Sequence, residues 1–479
     1  MKNRIAITLT LLAICGCQAT PPAINTTKLP DDVRAQQIKD LEFGMFICWS
    51  FSTFSGQEWT RGVTDVNFFK ATGCDTDQWC KTARDAGMRY ILFLTKHHDG
   101  FCLWDTDTTV FKVTRSPLGI DVLAKLRKSC DKYGLKLALY FSEGDWTWIK
   151  GKTPEGGEDR RSPAGRDAIW RSGENTELKK AQLKELCTQY GPIEFFWMDH
   201  AQGTGGLNHP DTVEWVHRFQ PNCFVGFNHG EPTGRINLRE RGKPGPIGDA
   251  SATRYNKDAE ASYKGYLVAE FTYPILPAHQ GGAQWFYSLP EHDDLCHPAE
   301  KIFWDYAGAV KHGNVFSVNV GPDYKGRIRD IDVKTLREVR RMMKSPPAPP
   351  RDDFLKPQRV SASSEWGAGY TAAEAVDNDE STRWGAEPGS RSGWLEVDLG
   401  PDQRINEIKV IESSFARTQE FVIEYKHHNH WQPIVTGTTL NGKRTFIFNT
   451  VTARHVRLNI RTASDVPTIE EFQVFAPAK

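Results

Sequence analysis

The chain has no excess of either charge: 60 lysines and arginines face 60 aspartates and glutamates in 479 residues. That balance leaves no electrostatic footprint for nucleic acid, which is not expected as a partner. Beyond the first 17 residues no apolar run approaches the roughly 18 residues that a spanning helix needs. There is no internal repeat. There is also no CxxC pair, the spacing that would most readily suggest zinc. Apart from Cys15 and Cys17, eight cysteines remain, at 48, 74, 80, 102, 130, 187, 223 and 296, irregularly spaced and missing from the last third. Cys48, Cys187 and Cys223 sit in or beside apolar segments and read as buried small hydrophobes.

What is present begins with a processing signal. Lys2 and Arg4 supply a positive end, Ile5 to Ile14 an apolar core, and Ile14-Cys15-Gly16-Cys17 resembles a bacterial lipobox. Residues 1–17 are therefore expected to be a lipoprotein signal peptide, with Cys17 the lipidated first residue of the mature protein. A plain signal peptide cleaved nearby is the alternative. Gln18, in place of Asp, resembles the sorting pattern for the outer membrane. The expected location is exported and lipid-anchored, in the outer membrane or periplasm, with the membrane a partner through that anchor. Disulfides are permitted there, but the spacing pairs none of the cysteines.

Past a polar leader (18–36), strand-like and helix-like segments alternate over 37–345. Strands are expected at 44–49, 90–94, 135–141, 194–198, 223–227, 266–271 and 315–320, and helices at 77–86, 122–133, 177–190, 212–219 and 298–311. Helices stop at Gly87, Gly134 and Gly191. Glu194-Phe195-Phe196-Trp197-Met198 is apolar on both faces, the mark of a buried parallel strand. The alternation predicts an α/β fold of the (β/α)8, TIM-like type, with a doubly wound sheet as the alternative. A proline-rich linker (346–357) follows, and then 358–479 changes to short alternating segments that read as an all-β sandwich.

Barrel enzymes keep their chemistry at the carboxyl ends of the strands. Asp99, Glu143, Asp145, Asp199, Glu231 and Glu270 all fall at such places, an acidic rim suited to chemistry that needs two carboxyl groups flanking one bond. Asp199 closes the most apolar strand; the bland reading is that it caps the next loop. Several of the 15 tryptophans stand beside Gly, Asp or His, a setting that suits stacking on sugar rings.

Residues 41–345 resemble the family 29 glycoside hydrolases, the retaining α-L-fucosidases. The matching motifs are Phe43-Gly44-Met45-Phe46, Glu58-Trp59, Thr95-Lys96-His97-His98-Asp99-Gly100-Phe101, Phe196-Trp197-Met198-Asp199 and Asn319-Val320-Gly321-Pro322. The resemblance implies an exo-acting hydrolase of fucosylated or related glycans that needs no cofactor for catalysis. It implies Asp199 as nucleophile and Glu58, Trp59, His97, His98 and Trp285 as sugar-binding residues. For the acid/base it points to Glu270, 15 residues before Trp285, with Glu231 the runner-up. Adjacent on an extended segment, His97 and His98 would face opposite ways, leaving one of them to be structural. One departure is Cys48, where the family pattern has a histidine that binds a ring hydroxyl. A thiol is a weak donor and acceptor, so a related sugar such as an α-L-galactoside is an alternative substrate. A barrel without activity, acting as a carbohydrate-binding lipoprotein, is the rival of another class.

Residues 358–479 resemble the coagulation factor 5/8 type C (discoidin-like) domain, through Ala375-Val376-Asp377-Asn378-Asp379, Thr382-Arg383-Trp384, Trp394 to Gly400 and Val456-Arg457-Leu458. That resemblance implies a structural calcium, with Asp377, Asp379, Thr382 and Glu471 able to supply oxygen ligands. The alternative is that these residues only form turns.

Overall fold

The computed structural model describes residues 22–63, 65–145, 176–199, 207–228, 235–241, 266–347, 353–380, 382–412, 416–440 and 442–477. The chain divides into two compact units between Pro346 and Pro347.

The first unit is built on eight parallel strands: β1 (Phe43–Ile47), β2 (Tyr90–Lys96), β3 (Lys136–Ser142), β4 (Phe195–Asp199), β5 (Phe224–Phe227), β6 (Ile236–Glu240), β7 (Val268–Pro274) and β8 (Val315–Val320). Their order is β5-β4-β3-β2-β1-β8-β7-β6, all neighbours parallel. At the seam, β5 meets β6 through side chains. A Cβ on Gly226 would lie 2.6 Å from Leu238 Cγ, and Asn228 Nδ2 donates to Glu240 at 2.9 Å. The result is a near-barrel of the TIM type, with strands buried on both faces because helices wrap the outside.

Those helices are set by local chemistry. Asp75 and Asp121 accept the backbone N–H of Gln78 (3.0 Å) and Ala124 (2.8 Å), capping Thr76–Asp85 and Val122–Tyr133. Gly134, at φ +69°, ends the second of these where an L side chain would be strained. Two helices outside the sequence expectation also belong to this unit, Asp31–Lys39 and Asp330–Lys344. The first begins inside the segment read as leader. It contributes buried Ile38 to the core and buried Arg34, whose guanidinium meets Glu194 at 2.6 Å.

The second unit is a seven-stranded antiparallel sheet of β9 (Arg359–Ala362), β10 (Trp384–Gly385), β11 (Gly393–Glu412), β12 (Thr418–His427), β13 (His430–Gly437), β14 (Lys443–Ala463) and β15 (Thr468–Phe475), in the order β10-β15-β11-β14-β12-β13, with β9 on β11. Its long strands β11 (Gly393–Glu412) and β14 (Lys443–Ala463) change register between Asp398 and Gln403 and again between Ile405 and Glu407. Such irregularities bend strands, and both ends of β11 feed one core, Leu395 and Val397 from one and Ile408 and Val410 from the other. The sequence pattern reads 394–399 and 405–411 as separate strands where β11 is one, and 445–448 and 455–460 as separate strands where β14 is one, because the polar residues between them read as turns.

Candidate active site

Asp199 is the last residue of β4, at the carboxyl end of the barrel, and its side chain keeps 13% of its exposure. Tyr140, two residues before the end of β3, donates its hydroxyl to Asp199 Oδ2 at 2.5 Å. Asn228, just past β5, donates Nδ2 to Oδ1 at 3.0 Å. Both donors stabilise the ionised carboxylate. His98 Nε2 stands 3.6 Å from Oδ2, too far for a hydrogen bond. Ser142 donates to Gly144 O and meets His98 Nδ1 at 2.6 Å, so Nδ1 carries a hydrogen. Nε2 can then donate toward Asp199 only when the ring is protonated.

The same Asn228 nitrogen reaches Glu240 Oε2, the last residue of β6, at 2.9 Å. Two carboxylate oxygens on one nitrogen, at 3.0 and 2.9 Å, are separated by at most the two distances together. Burial first, and then the negative charge of Asp199, push the Glu240 carboxyl up to about 7. Glu58 joins from the segment after β1; its Oε2 accepts the backbone N–H of Gln284 (2.7 Å) and Trp285 (3.3 Å). Burial raises its proton affinity, while those N–H groups and the Arg241 and His279 side chains oppose the rise. The thiol of Cys48, the residue after β1, is buried: burial, then Glu58 and Asp199, hold it well above the usual thiol range, with Asn319 opposing the rise and Glu240 adding to it.

Beneath the carboxylates lies an aromatic floor. Tyr140 and Trp197 stack with centroids 5.4 Å apart, and Phe46 lies 5.7 Å from Tyr140, 6.3 Å from Trp197 and 6.0 Å from Trp285. The Arg241 guanidinium sits 5.3 Å over Trp285. Trp59, next to Glu58, is 48% exposed.

The two histidines depart from expectation. β2 ends at Lys96, so His97 and His98 lie beyond the pleat, and their rings pack at 4.0 Å instead of facing opposite ways. His97 also meets Phe286 edge-on at 5.1 Å. Glu270 departs further. β7 runs from Val268 to Pro274, so Glu270 is its third residue and not its end. In register it pairs with Leu238 and Val315, whereas Glu240 pairs with Thr272, two residues closer to the mouth. Glu270 is 0% exposed, bonded to Trp197 Nε1 at 3.0 Å, and burial pushes it up to about 7. It is a core carboxyl under the aromatic floor, and the structure does not bring it to Asp199. Of the other rim acids, Glu143 pairs with Lys179, Asp145 with Lys96 at 2.9 Å, and Asp99 holds the Phe101 N–H at 2.9 Å. Glu231 and Cys17 lie outside the described residues.

Because burial pushes the Glu270 carboxyl up to about 7, the stability it contributes is full below about pH 4.5 and is lost as pH rises through 7. The loss is roughly 3 kcal/mol where burial acts in full. Glu270→Gln is expected to raise Tm at pH 8, leave it close to wild type at pH 5, and leave turnover nearly intact. Thermal melts at both pH values measure this; a turnover loss as deep as that of an Asp199 variant would contradict the core assignment.

In the second unit, Asp377 Oδ2, Asp379 O and Glu374 O all lie within 2.8–3.2 Å of Thr382 Oγ1. Among the described residues no three His, Cys, Asp or Glu side chains are grouped to hold a metal. Carbonyl and hydroxyl oxygens make up the difference, and they are the hard donors calcium prefers. Glu471 Oε1 is buried with no hydrogen-bond partner among the described residues, and burial, then Asp377, raise its carboxyl to about 7. An orphaned carboxyl oxygen beside an oxygen-rich turn fits a calcium ion.

Tyr140, Asn228, Glu240 and Arg241 are site residues that the sequence reading did not single out. A signal existed for Glu240: an eight-stranded barrel was expected with seven strands in hand, and 38 residues between Phe227 and Tyr266 left room for another.

A near-barrel whose mouth gathers one carboxylate held by hydrogen-bond donors and one pushed toward neutrality has the paired groups of a glycoside hydrolase. Residues 17–346 match the Alpha-L-fucosidase family, and residues 359–472 the F5/8 type C domain. The chain belongs to the α-L-fucosidase family and is a glycoside hydrolase. It is 27% identical over 455 residues to Alpha-L-fucosidase 1 of Arabidopsis thaliana, covering 89% of this chain and 83% of that one. Among solved structures, a glycoside hydrolase 29 family member from an unknown rumen bacterium superposes with a TM-score of 0.52 at 22% identity, over 96% of this chain and 78% of that one. A Ruminococcus gnavus GH29 fucosidase in complex with fucose gives a TM-score of 0.50 at 21% identity, over 96% and 97%.

Proposed function

We propose that the protein is a retaining, exo-acting α-L-fucosidase in which Asp199 is the nucleophile and Glu240, not Glu270, is the acid and base. The observation that carries the assignment is Asn228 Nδ2 at 3.0 Å from Asp199 and 2.9 Å from Glu240. That arrangement keeps the nearest oxygens under about 6 Å apart, on the side of the roughly 5–5.5 Å typical of retaining enzymes and short of the 6.5–9.5 Å of inverting ones. Asp199, bonded by Tyr140 and Asn228, attacks the anomeric carbon as the ionised group. Glu240, protonated near neutrality, gives its proton to the leaving oxygen, then removes one from the water that releases the sugar. Glu58, Trp59, His97, His98 and Trp285 bind the sugar around Asp199. Exo action, in which a glycan presents its terminal sugar to Asp199, fits the family. Fucosylated glycans are the expected partners.

Cys48 favours a second reading of the sugar. Its thiol, kept neutral by burial and by the charges of Glu58 and Asp199, is a poor hydrogen-bond partner, which weakens the preference for fucose over an α-L-galactoside. Hydrolysis of chromogenic α-L-fucoside and α-L-galactoside side by side tests this. Higher kcat/KM on the fucoside is expected; turnover of the galactoside alone would exchange the two readings.

Asp377, Asp379, Thr382 and Glu471 would hold a calcium ion that braces the second unit. Chelation is expected to lower the Tm of that unit by roughly 5–10 °C, with calcium and not magnesium restoring it. An unchanged melt after EDTA would contradict the assignment. Lipidation at Cys17, with export to the outer membrane or periplasm, completes the proposal; metabolic labelling with a palmitate analogue, lost in Cys17→Ala, tests it.

A further inference from the structure

We infer that Asn228 is a positioning residue that fixes which oxygen of Glu240 carries the transferable proton and keeps Glu240 beside Asp199. The inference rests on the reading of Glu240 as acid and base. Asn228 is 1% exposed, and its backbone N–H bonds Met198 O at 2.8 Å, tying the end of β5 to β4 one residue before Asp199. Its Nδ2 donates to Asp199 Oδ1 at 3.0 Å and to Glu240 Oε2 at 2.9 Å, while its Oδ1 is buried with no hydrogen-bond partner among the described residues. An asparagine serving only the fold would be expected to satisfy that carbonyl. Here both hydrogen atoms go to carboxylates. Turning the amide over would set its oxygen 3.0 Å from the negative Asp199 carboxylate, so its orientation follows from that contact.

The consequence lies in where the proton sits. A protonated carboxyl has one carbonyl oxygen and one hydroxyl. With Oε2 accepting from Asn228, Oε2 is the carbonyl, and Oε1 carries the hydrogen. In the first half-reaction that proton passes from Oε1 to the glycosidic oxygen as the bond to the anomeric carbon breaks and the ester to Asp199 forms. In the second, Glu240 takes a proton from water as the water oxygen bonds the anomeric carbon and the ester to Asp199 breaks. The Asn228 donor favours the carboxylate that must accept this proton. One amide thus serves both halves.

The pH dependence of kcat/KM for wild type, Asn228→Ala and Glu240→Gln tests the assignment. The alkaline limb of the wild type reports loss of the Glu240 proton. Removing a hydrogen bond to a carboxylate raises its proton affinity, so in Asn228→Ala the limb is expected to move up by about one pH unit. kcat should fall about 10- to 100-fold with KM changed less than about 3-fold. A limb unmoved from the wild type, in a variant that melts as wild type does, would overturn the inference whatever the loss of rate. Asn228→Ser, too short to span both carboxylates, carries the same test where alanine fails to fold. Glu240→Gln separates the two claims: its alkaline limb should vanish, and a limb that persists there would retire the reading of Glu240 itself.

Discussion

Replacing Asp199 by glycine is expected to lower kcat on an aryl α-L-fucoside by roughly 10³-fold or more, because the covalent route is removed altogether. The variant should fold, since Asp199 sits at a strand end with its side chain partly exposed. The stranded donors are then Tyr140, left without its acceptor 2.5 Å away, and one hydrogen of Asn228. A small anion such as azide can enter the space vacated and attack the anomeric carbon directly. That attack comes from the side Asp199 occupied, so the glycosyl azide should have inverted configuration. KM should change little, since the sugar-binding residues on other elements are untouched.

Replacing Glu240 by glutamine is expected to act on a different step. General acid assistance contributes roughly 10²- to 10⁴-fold, so a natural glycan with a poor leaving group should lose about that much. An aryl fucoside with an acidic phenol needs little protonation, and its first step should survive. Its second step then limits, because no base activates water, and intermediate accumulates. Azide needs no base, so it should restore turnover and give a glycosyl azide of retained configuration. In the wild type, kcat/KM should decline above about pH 7, where Glu240 gives up its proton. Burial and the charge of Asp199 both place that limb higher than an ordinary glutamate would.

Much of the fold could be read from the residues because β1 to β5 are short, almost wholly apolar runs, and β7 and β8 keep one apolar face, with Phe271 and Tyr273 in β7 and Phe316, Val318 and Val320 in β8. Asp199 was legible for the same reason, since an apolar run that stops at a carboxylate marks a strand end. Glu240 was not, because Ile236-Asn237-Leu238-Arg239-Glu240 is short and charged, and its buried Arg239 disguises a barrel strand as a surface segment. Glu270 misled for a related reason. Thr272 and Tyr273 extend β7 beyond the expected end at Phe271, and only register tells that Glu270 lies two residues below the level of Glu240. The pairing of His97 with His98 turned on where β2 stops, a boundary that sequence periodicity fixes poorly. Tyr140 and Asn228 gain their meaning only from the carboxylates they touch, and no local pattern announces that.

The most direct test of Asp199 and Glu240 as nucleophile and acid/base is the anomeric configuration of the fucosyl azide each variant makes, read by proton NMR. Asp199→Gly should yield the β-L-azide and Glu240→Gln the α-L-azide. The α-azide from Asp199→Gly, or wild-type turnover in Glu240→Gln with no response to azide, would contradict the assignment.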